Sequence, residues 1–163
     1  MGNERRWRGS YTMNDLNQLE VYLSGLIANL APAAQRILAR TIAQRLRDSQ
    51  SKRIGLQRNP DGSAYEPRKP QLRLRNKKGR VRRTMFAKLK QTKYLKATTT
   101  PSGAVVSFLD QVEAIARVHQ YGLRDKVNRG RNLEVQYAQR RLLGITSTDE
   151  EMIRDLVIEH LAR

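Results

Sequence analysis

The stretch YLKATTTPSGAVVSFL, residues 94–109, sets the fold class of this chain. Its two halves, Tyr94 to Thr100 and Ala104 to Leu109, are enriched in β-branched and aromatic residues, which favour strands. Pro101-Ser102-Gly103 separates them and is typical of a tight turn, so the stretch predicts a β-hairpin. A small sheet therefore accompanies the helices that apolar periodicity predicts on both sides of it.

Two helices are predicted upstream of the hairpin. Apolar residues recur every three or four positions, which predicts a first helix over about Asn14 to Asn29. Pro32 suits a first helical position, and a second stripe predicts a helix ending near Ser51. Because the turn between them is short, we expect a helical hairpin. The second stripe contains Ile37, Leu38, Ile42 and Leu46.

A long basic loop follows the helical hairpin. The turn residues Arg58 to Ser63 end the helical section. Residues 68–83, called the basic segment below, hold nine Lys or Arg and no acid. Such a density favours an extended segment unless a partner neutralises it. Met85, Phe86 and Leu89 then predict a short helix before the first strand.

Three further elements are predicted downstream of the hairpin. A short helix carries Val112 to His119, and Gly122 is expected to end it. Leu133 to Tyr137 and Arg141 to Ile145 are weaker strand candidates. The order, helices first and then a sheet with helices packed on it, predicts an α+β fold.

A closing amphipathic helix completes this fold. Ser147 and Glu150 form an S-x-x-E capping box at its predicted start. Its apolar face is formed by Met152, Ile153, Leu156, Val157 and Leu161.

Domain organisation is predicted to be simple. The 163 residues suit one domain, which we place at 13–163. Residues 1–12 are expected to form an N-terminal arm that holds Trp7 and Tyr11. The alternative that Met13 is the natural first residue, with 1–12 an upstream extension, stays open.

Charge is distributed unevenly along the chain. Lys and Arg number 32 against 15 Asp and Glu, a net charge of +17 that predicts an acidic or polyanionic partner. From Arg36 to Lys96 there are 20 basic residues and three acids, again a balance of +17. The candidate residues for contact with a partner or DNA are Arg68, Lys69, Arg73, Arg75, Lys77, Lys78, Arg80, Arg82 and Arg83.

The C-terminal end has the opposite sign. Residues 146–163 contain five acids and two Arg. This asymmetry favours head-to-tail contacts between copies, although acids at a helix start also favour the helix dipole without any partner. The candidate subunit interface comprises Trp7, Tyr11, Glu150, Glu151 and Asp155.

Known catalytic patterns find no support. The chain has no cysteine and two histidines, and it lacks nucleophile-elbow and phosphate-loop motifs. Asp110 with Glu113 could be drawn as a carboxylate pair, but residues at a helix start are more often capping groups. His119 is more readily a hydrogen-bonded structural residue than a ligand. We therefore expect no enzyme, metal, cofactor, small-molecule substrate or membrane segment.

Taken together, the motifs resemble the phage virion morphogenesis family, the tail completion proteins of contractile-tailed phages and prophages. The resemblance covers most of the chain from Met13 onward. The family often has a Pro shortly after the aromatic of the fourth block, which Ala138-Gln139 lack here. The blocks that carry the resemblance are Asn59 to Gly62 with Tyr65, Pro67 and Arg68, then Met85 to Leu89, Ile115 to Gly122, Tyr137 to Ile145, and the closing acidic helix.

The resemblance implies a structural protein that completes the head-proximal end of a tail so that tail and head can join. It implies a homo-oligomeric ring, expected to be a hexamer, beside other neck and tail-end proteins, and it leaves open a nonspecific contact with packaged DNA. Its location would be the tail end or neck of the virion, and the host cytoplasm during assembly. A nonspecific DNA-binding protein is the alternative that the charge alone supports.

Overall fold

The computed structural model describes residues 13–68, 84–128 and 131–162. Four helices and four strands lie in these ranges, so the predicted α+β class is confirmed. No helix in the described ranges is long and apolar enough to cross a membrane. In chain order the elements are α1 (Met13–Ala28), α2 (Pro32–Gly55), β1 (Leu95–Thr100), β2 (Gly103–Phe108), α3 (Asp110–Tyr121), β3 (Arg124–Asn128), β4 (Arg131–Gln136) and α4 (Ser147–Leu161).

The central helix α2 is longer than its apolar stripe predicts. Pro32 occupies its first turn, where the fixed φ of proline costs nothing. The helix continues to Gly55 because Ile54 is fully buried in the core. Ile37 departs from the prediction, since 61% of it is exposed while its neighbour Leu38 is buried. The buried face of α2 is therefore rotated away from Ile37.

The hairpin β1–β2 forms as predicted. The strands pair antiparallel from Leu95 opposite Phe108 to Thr100 opposite Gly103. Leu95 and Phe108 are buried at the end that packs towards α2, and the tip of the hairpin is exposed. Main-chain pairing thus places the apolar end of the hairpin in the core.

One hydrophobic core joins α2, the hairpin and α3. Its completely buried side chains are Ile54, Leu95 and Leu142. Tyr65, Leu89, Phe108 and Ala116 surround them. Helices α1 and α2 also pack against α4, whose Val157 is buried, so the closing helix is integral to the fold.

Helix α3 ends at Gly122, as expected. Gly122 has φ 63° and ψ 46°, the left-handed conformation that glycine adopts without steric cost. A Cβ atom at this position would lie 3.1 Å from the backbone nitrogen of Gln139. The glycine therefore both reverses the chain and admits the strand-to-helix connection beside it.

A second hairpin, β3–β4, was only half predicted. The candidate strand Leu133 to Tyr137 overlaps β4, but β3 at Arg124–Asn128 was not expected because its residues are mostly charged or polar. These strands pair with each other and form a two-stranded sheet separate from β1–β2.

Two predicted elements are wrong. Arg141 to Ile145 is not a strand, because its backbone groups bond to side chains of other elements instead of a neighbouring strand. Residues 85–90 form turns and no helix, since Phe86 has φ 61°, outside the right-handed helical region.

The cap of α4 lies one residue earlier than predicted. Thr146 is the N-cap, and its hydroxyl accepts a hydrogen bond from the Asp149 amide at 3.1 Å. The Asp149 carboxylate accepts in return from the Thr146 amide at 3.0 Å. This T-x-x-D box replaces the predicted pair of Ser147 and Glu150, and it buries Asp149.

Candidate functional site: the anchored base of the basic segment

The turn after α2 is built by its own side chains. Asp61 accepts hydrogen bonds from the amide and hydroxyl of Ser63, and these bonds lower the pKa of Asp61 below its usual range. Gly62 has φ 84°, which favours glycine. The Asn59 side chain then reaches across the fold and accepts from the Arg141 amide at 2.9 Å. The turn thus holds a segment 82 residues further along the chain.

That distant segment is fixed by a buried arginine. The Arg53 guanidinium donates to the carbonyl oxygens of Arg141, Leu142 and Gly144 at 3.0, 3.1 and 3.2 Å. A guanidinium suits this role because it presents several donors in one plane. Burial lowers the pKa of Arg53 from its ordinary value. Arg53 therefore serves as an internal brace, and its charge lies inside the fold.

Close packing at Gly144 completes this contact. A Cβ atom there would lie 2.5 Å from Cγ of Pro60, so only glycine fits without displacement. On the other side, Gln120 of α3 exchanges two hydrogen bonds with the backbone of Leu143, each 2.9 Å long. Residues 141–144 are consequently held from α2, from the turn and from α3.

A second arginine holds the start of the basic segment. Arg140 is buried and donates to the carbonyl oxygens of Glu66 and Pro67 at 2.7 and 3.1 Å. It also donates to Nδ1 of His119 at 3.2 Å. Burial lowers the pKa of Arg140. The backbone just before Arg68 is therefore tied to α3 and to the segment after β4.

His119 is a neutral structural residue, as the sequence suggests. Burial, with smaller contributions from Arg140 and Arg68, lowers its pKa to about 4. Its ring is neutral near pH 7, so Nδ1 is free to accept from Arg140.

Four rings form a continuous edge-to-face row through this region. The centroids of Tyr65 and Phe86 are 5.9 Å apart, those of Phe86 and His119 4.8 Å, and those of His119 and Tyr137 5.2 Å. Such pairs favour this geometry because ring edges are positive and ring faces negative. The row connects four of the five sequence blocks that carry the family resemblance, all except the closing helix.

The far end of the basic segment is held as firmly as its start. Gln57 donates to the Met85 carbonyl at 2.9 Å and accepts from the Met85 amide at 3.0 Å. Gln57 lies just after α2 and has φ 58°. Pro67 and Met85 are both anchored to the core, so they fix the two ends of the basic segment on the same part of the fold, and this pair of ends is called the anchored base.

The structure places few of the predicted contact residues. Arg68 is exposed at the anchored base, near enough to His119 to influence its pKa. Glu150, Glu151 and Asp155 are exposed on α4, whereas Asp149 is buried in the cap. The candidates outside the described residues are Trp7, Tyr11, Lys69, Arg73, Arg75, Lys77, Lys78, Arg80, Arg82 and Arg83.

The anchoring residues were missed by sequence reasoning. Arg53, Gln57 and Arg140 bind backbone groups far away in sequence, and no periodic pattern signals such bonds. Within the described ranges, no three His, Asp or Glu side chains lie where they could hold a metal ion. The chemistry of this region is that of hydrogen-bonded anchorage around a positively charged segment.

Comparison with known proteins identifies the class. Residues 14–162 match the phage virion morphogenesis family, and this chain belongs to that family. It is 41% identical over 152 residues to tail completion protein S of Escherichia phage P2, an alignment that covers 93% of this chain and 100% of that protein. No solved structure matches the chain.

Proposed function

We propose that this chain is a tail completion protein, which acts at the head-proximal end of a phage tail and enables the tail to join the head. The observation that carries the proposal is the similarity to tail completion protein S over 100% of that protein's length. A structural role without catalysis is part of the proposal, and it agrees with membership of a morphogenesis family. The protein would act in the host cytoplasm during assembly and at the tail end or neck of the virion.

The basic segment is proposed as the part that contacts the partner. The segment contains nine Lys or Arg residues. Arg140 binds the backbone just before it and Gln57 binds the backbone just after it, so both of its ends are held at defined places. Cations concentrated at one place attract an anionic surface, either acidic neck and tail-end proteins or packaged DNA. A partner surface of this kind would supply neutralising charge to the segment.

A ring of six copies is proposed as the acting form. The support is the opposite charge of separate surfaces on one subunit, because a heterologous contact closes into a ring when its rotation permits. Net charge alone would also fit the alternative, a nonspecific DNA-binding protein. That alternative predicts DNA affinity that falls steeply with salt and no ring on native mass spectrometry.

Complementation tests the proposal. A phage lacking this protein, supplied with it from a plasmid, should form plaques at the wild-type titre. Replacing Arg73, Arg75, Lys77 and Lys78 by Ser should abolish plaques while circular dichroism stays unchanged. The matched control removes the same charges from exposed positions elsewhere, with Arg45, Lys52, Lys88 and Arg117 changed to Ser. A wild-type titre for the basic-segment variant would mean that the basic segment makes no essential contact.

A further inference from the structure

One face of α4 is exposed and carries two acids followed by an isoleucine. Glu151 and Asp155 are exposed, and Ile158 is 52% exposed. Positions separated by four and by seven residues lie on the same side of a helix. Glu151, Asp155 and Ile158 therefore form one surface, called the acidic face here.

A face of α2 is its counterpart in charge. Arg40 and Gln44 are exposed there, and Ile37 is exposed although it belongs to the predicted apolar stripe. Steps of three and four residues again place these side chains on one side of the helix. Ile37, Arg40 and Gln44 form the basic face, with the exposed Arg36 at its edge.

The charges on both faces lack an opposite partner within the described part of the chain. Glu151 and Asp155 make no ion pair there, and neither do Arg36 and Arg40; the ion pair nearest in sequence to Arg40 joins Arg47 to Asp48 at 2.6 Å. Like charges four residues apart also repel each other along a helix. An opposite surface on another molecule would relieve that repulsion at both faces.

We propose that the acidic face of one copy binds the basic face of a second copy, with the two helices antiparallel. In the acidic face, Asp155 follows Glu151 by four residues and Ile158 follows Asp155 by three. In the basic face, the steps from Ile37 to Arg40 and on to Gln44 are three and then four residues. Since both helices rise about 1.5 Å per residue, the antiparallel alignment matches the two spacings. It places Glu151 opposite Gln44, Asp155 opposite Arg40, and Ile158 opposite Ile37.

The alignment combines the two contributions that an interface needs. The isoleucine pair removes apolar surface from water, while the charged pair sets the register and speeds association. Each copy uses α4 towards one neighbour and α2 towards the other, so the contact is heterologous and can close into a ring. This inference rests on the proposed function in taking self-assembly as its purpose, but its test uses purified protein alone.

Charge exchange tests the contact by sedimentation velocity at low salt. Arg40→Glu and Asp155→Arg should each weaken self-association about tenfold or more, because like charges then face each other. An equimolar mixture of the two variants should restore self-association. Each contact between unlike copies then pairs a cation with an acid, because either the two native residues meet, Asp155 with Arg40, or the two substituted ones do. Arg45→Glu, an equal charge change on the edge of α2 away from the basic face, should leave self-association unchanged.

Several results would overturn the inference. They are a wild-type chain that stays monomeric at its highest soluble concentration, single reversals that leave self-association intact, or a mixture that recovers nothing. Recovery in the mixture also shows that both variants fold. The charge-exchange experiment could succeed while the wild-type chain fails to complement plaque formation. That result would reject the proposed function and leave this contact standing.

Discussion

Tyr65 and Phe86 meet edge to face, with ring centroids 5.9 Å apart and planes at 86°. One residue lies just before the basic segment and the other just after it, so this contact closes the base of the segment. Tyr65 is buried, and burial raises the pKa of its hydroxyl. The ring pair keeps the segment attached to the core at both ends, independently of what the segment binds.

Leu142 should be sensitive to truncation although it belongs to no helix or strand. It is completely buried although it lies in an irregular segment. Leu142→Ala should lower the free energy of unfolding by about 2 to 5 kcal/mol in urea denaturation, through lost transfer energy and a cavity. Ile115→Ala, at a 53% exposed site, should change it by less than about 1 kcal/mol. Equal losses would mean that residues 141–145 do not pack as described.

Removal of the Arg53 brace should destabilise the fold. Arg53→Met leaves the carbonyl oxygens of Leu142 and Gly144 without their donor, which should cost about 2 to 4 kcal/mol. Arg53→Lys should recover only part of this, since an ammonium group cannot reproduce the planar set of donors. Arg45→Met, on the exposed side of α2, is the control in the same denaturation measurement. A wild-type midpoint for Arg53→Met would contradict the brace.

Stability should depend on pH through His119. Its pKa is about 4 in the folded chain against an ordinary 6.5, so the unfolded chain binds the extra proton between these values. Stability from this group is complete above pH 6.5 and is lost as the pH falls towards 4. His119→Gln should flatten the dependence of the unfolding midpoint on pH in this window. An unchanged dependence would mean that another group titrates there.

Gly144 and Gly62 both have positive φ values but should differ in their tolerance of a side chain. Gly144→Ala meets both an unfavourable φ of 152° and the Pro60 ring, so it should cost about 2 to 4 kcal/mol. Gly62→Ala has φ 84° but nothing within 4 Å of the added atom, so it should cost about 1 kcal/mol. Thermal melts of the two variants would distinguish strain alone from strain with steric overlap. Equal melting temperatures would contradict the close packing of Gly144 against Pro60.

Local sequence signals predicted the regular elements well. The hairpin at Leu95–Phe108 and the end of α3 at Gly122 depend on turn residues and neighbouring side chains, and both were found within a residue or two. The capping box of α4 was displaced by one position because Thr146 and Asp149 satisfy the same pattern as Ser147 and Glu150. The local code is ambiguous there, whereas the helix itself is clear.

Long-range hydrogen bonds explain most of what the sequence did not predict. Residues 141–145 have strand-like composition, but their backbone groups bond to Arg53, Asn59 and Gln120. Phe86 interrupts a helix-like pattern because its ring enters the aromatic row with a positive φ. Arg53 is among the 20 basic residues counted from Arg36 to Lys96, but it is buried, which a count of charges does not reveal. The anchored base could be recognised only once these distant segments were seen together.

The central claim, that this chain completes tails for head joining, is tested most directly by electron microscopy of a lysate from a phage that lacks it. We expect DNA-filled heads and full-length tails to lie separately, and to join into infectious particles when the purified wild-type chain is added. Complete virions without the chain, or heads and tails that stay separate after its addition, would contradict it.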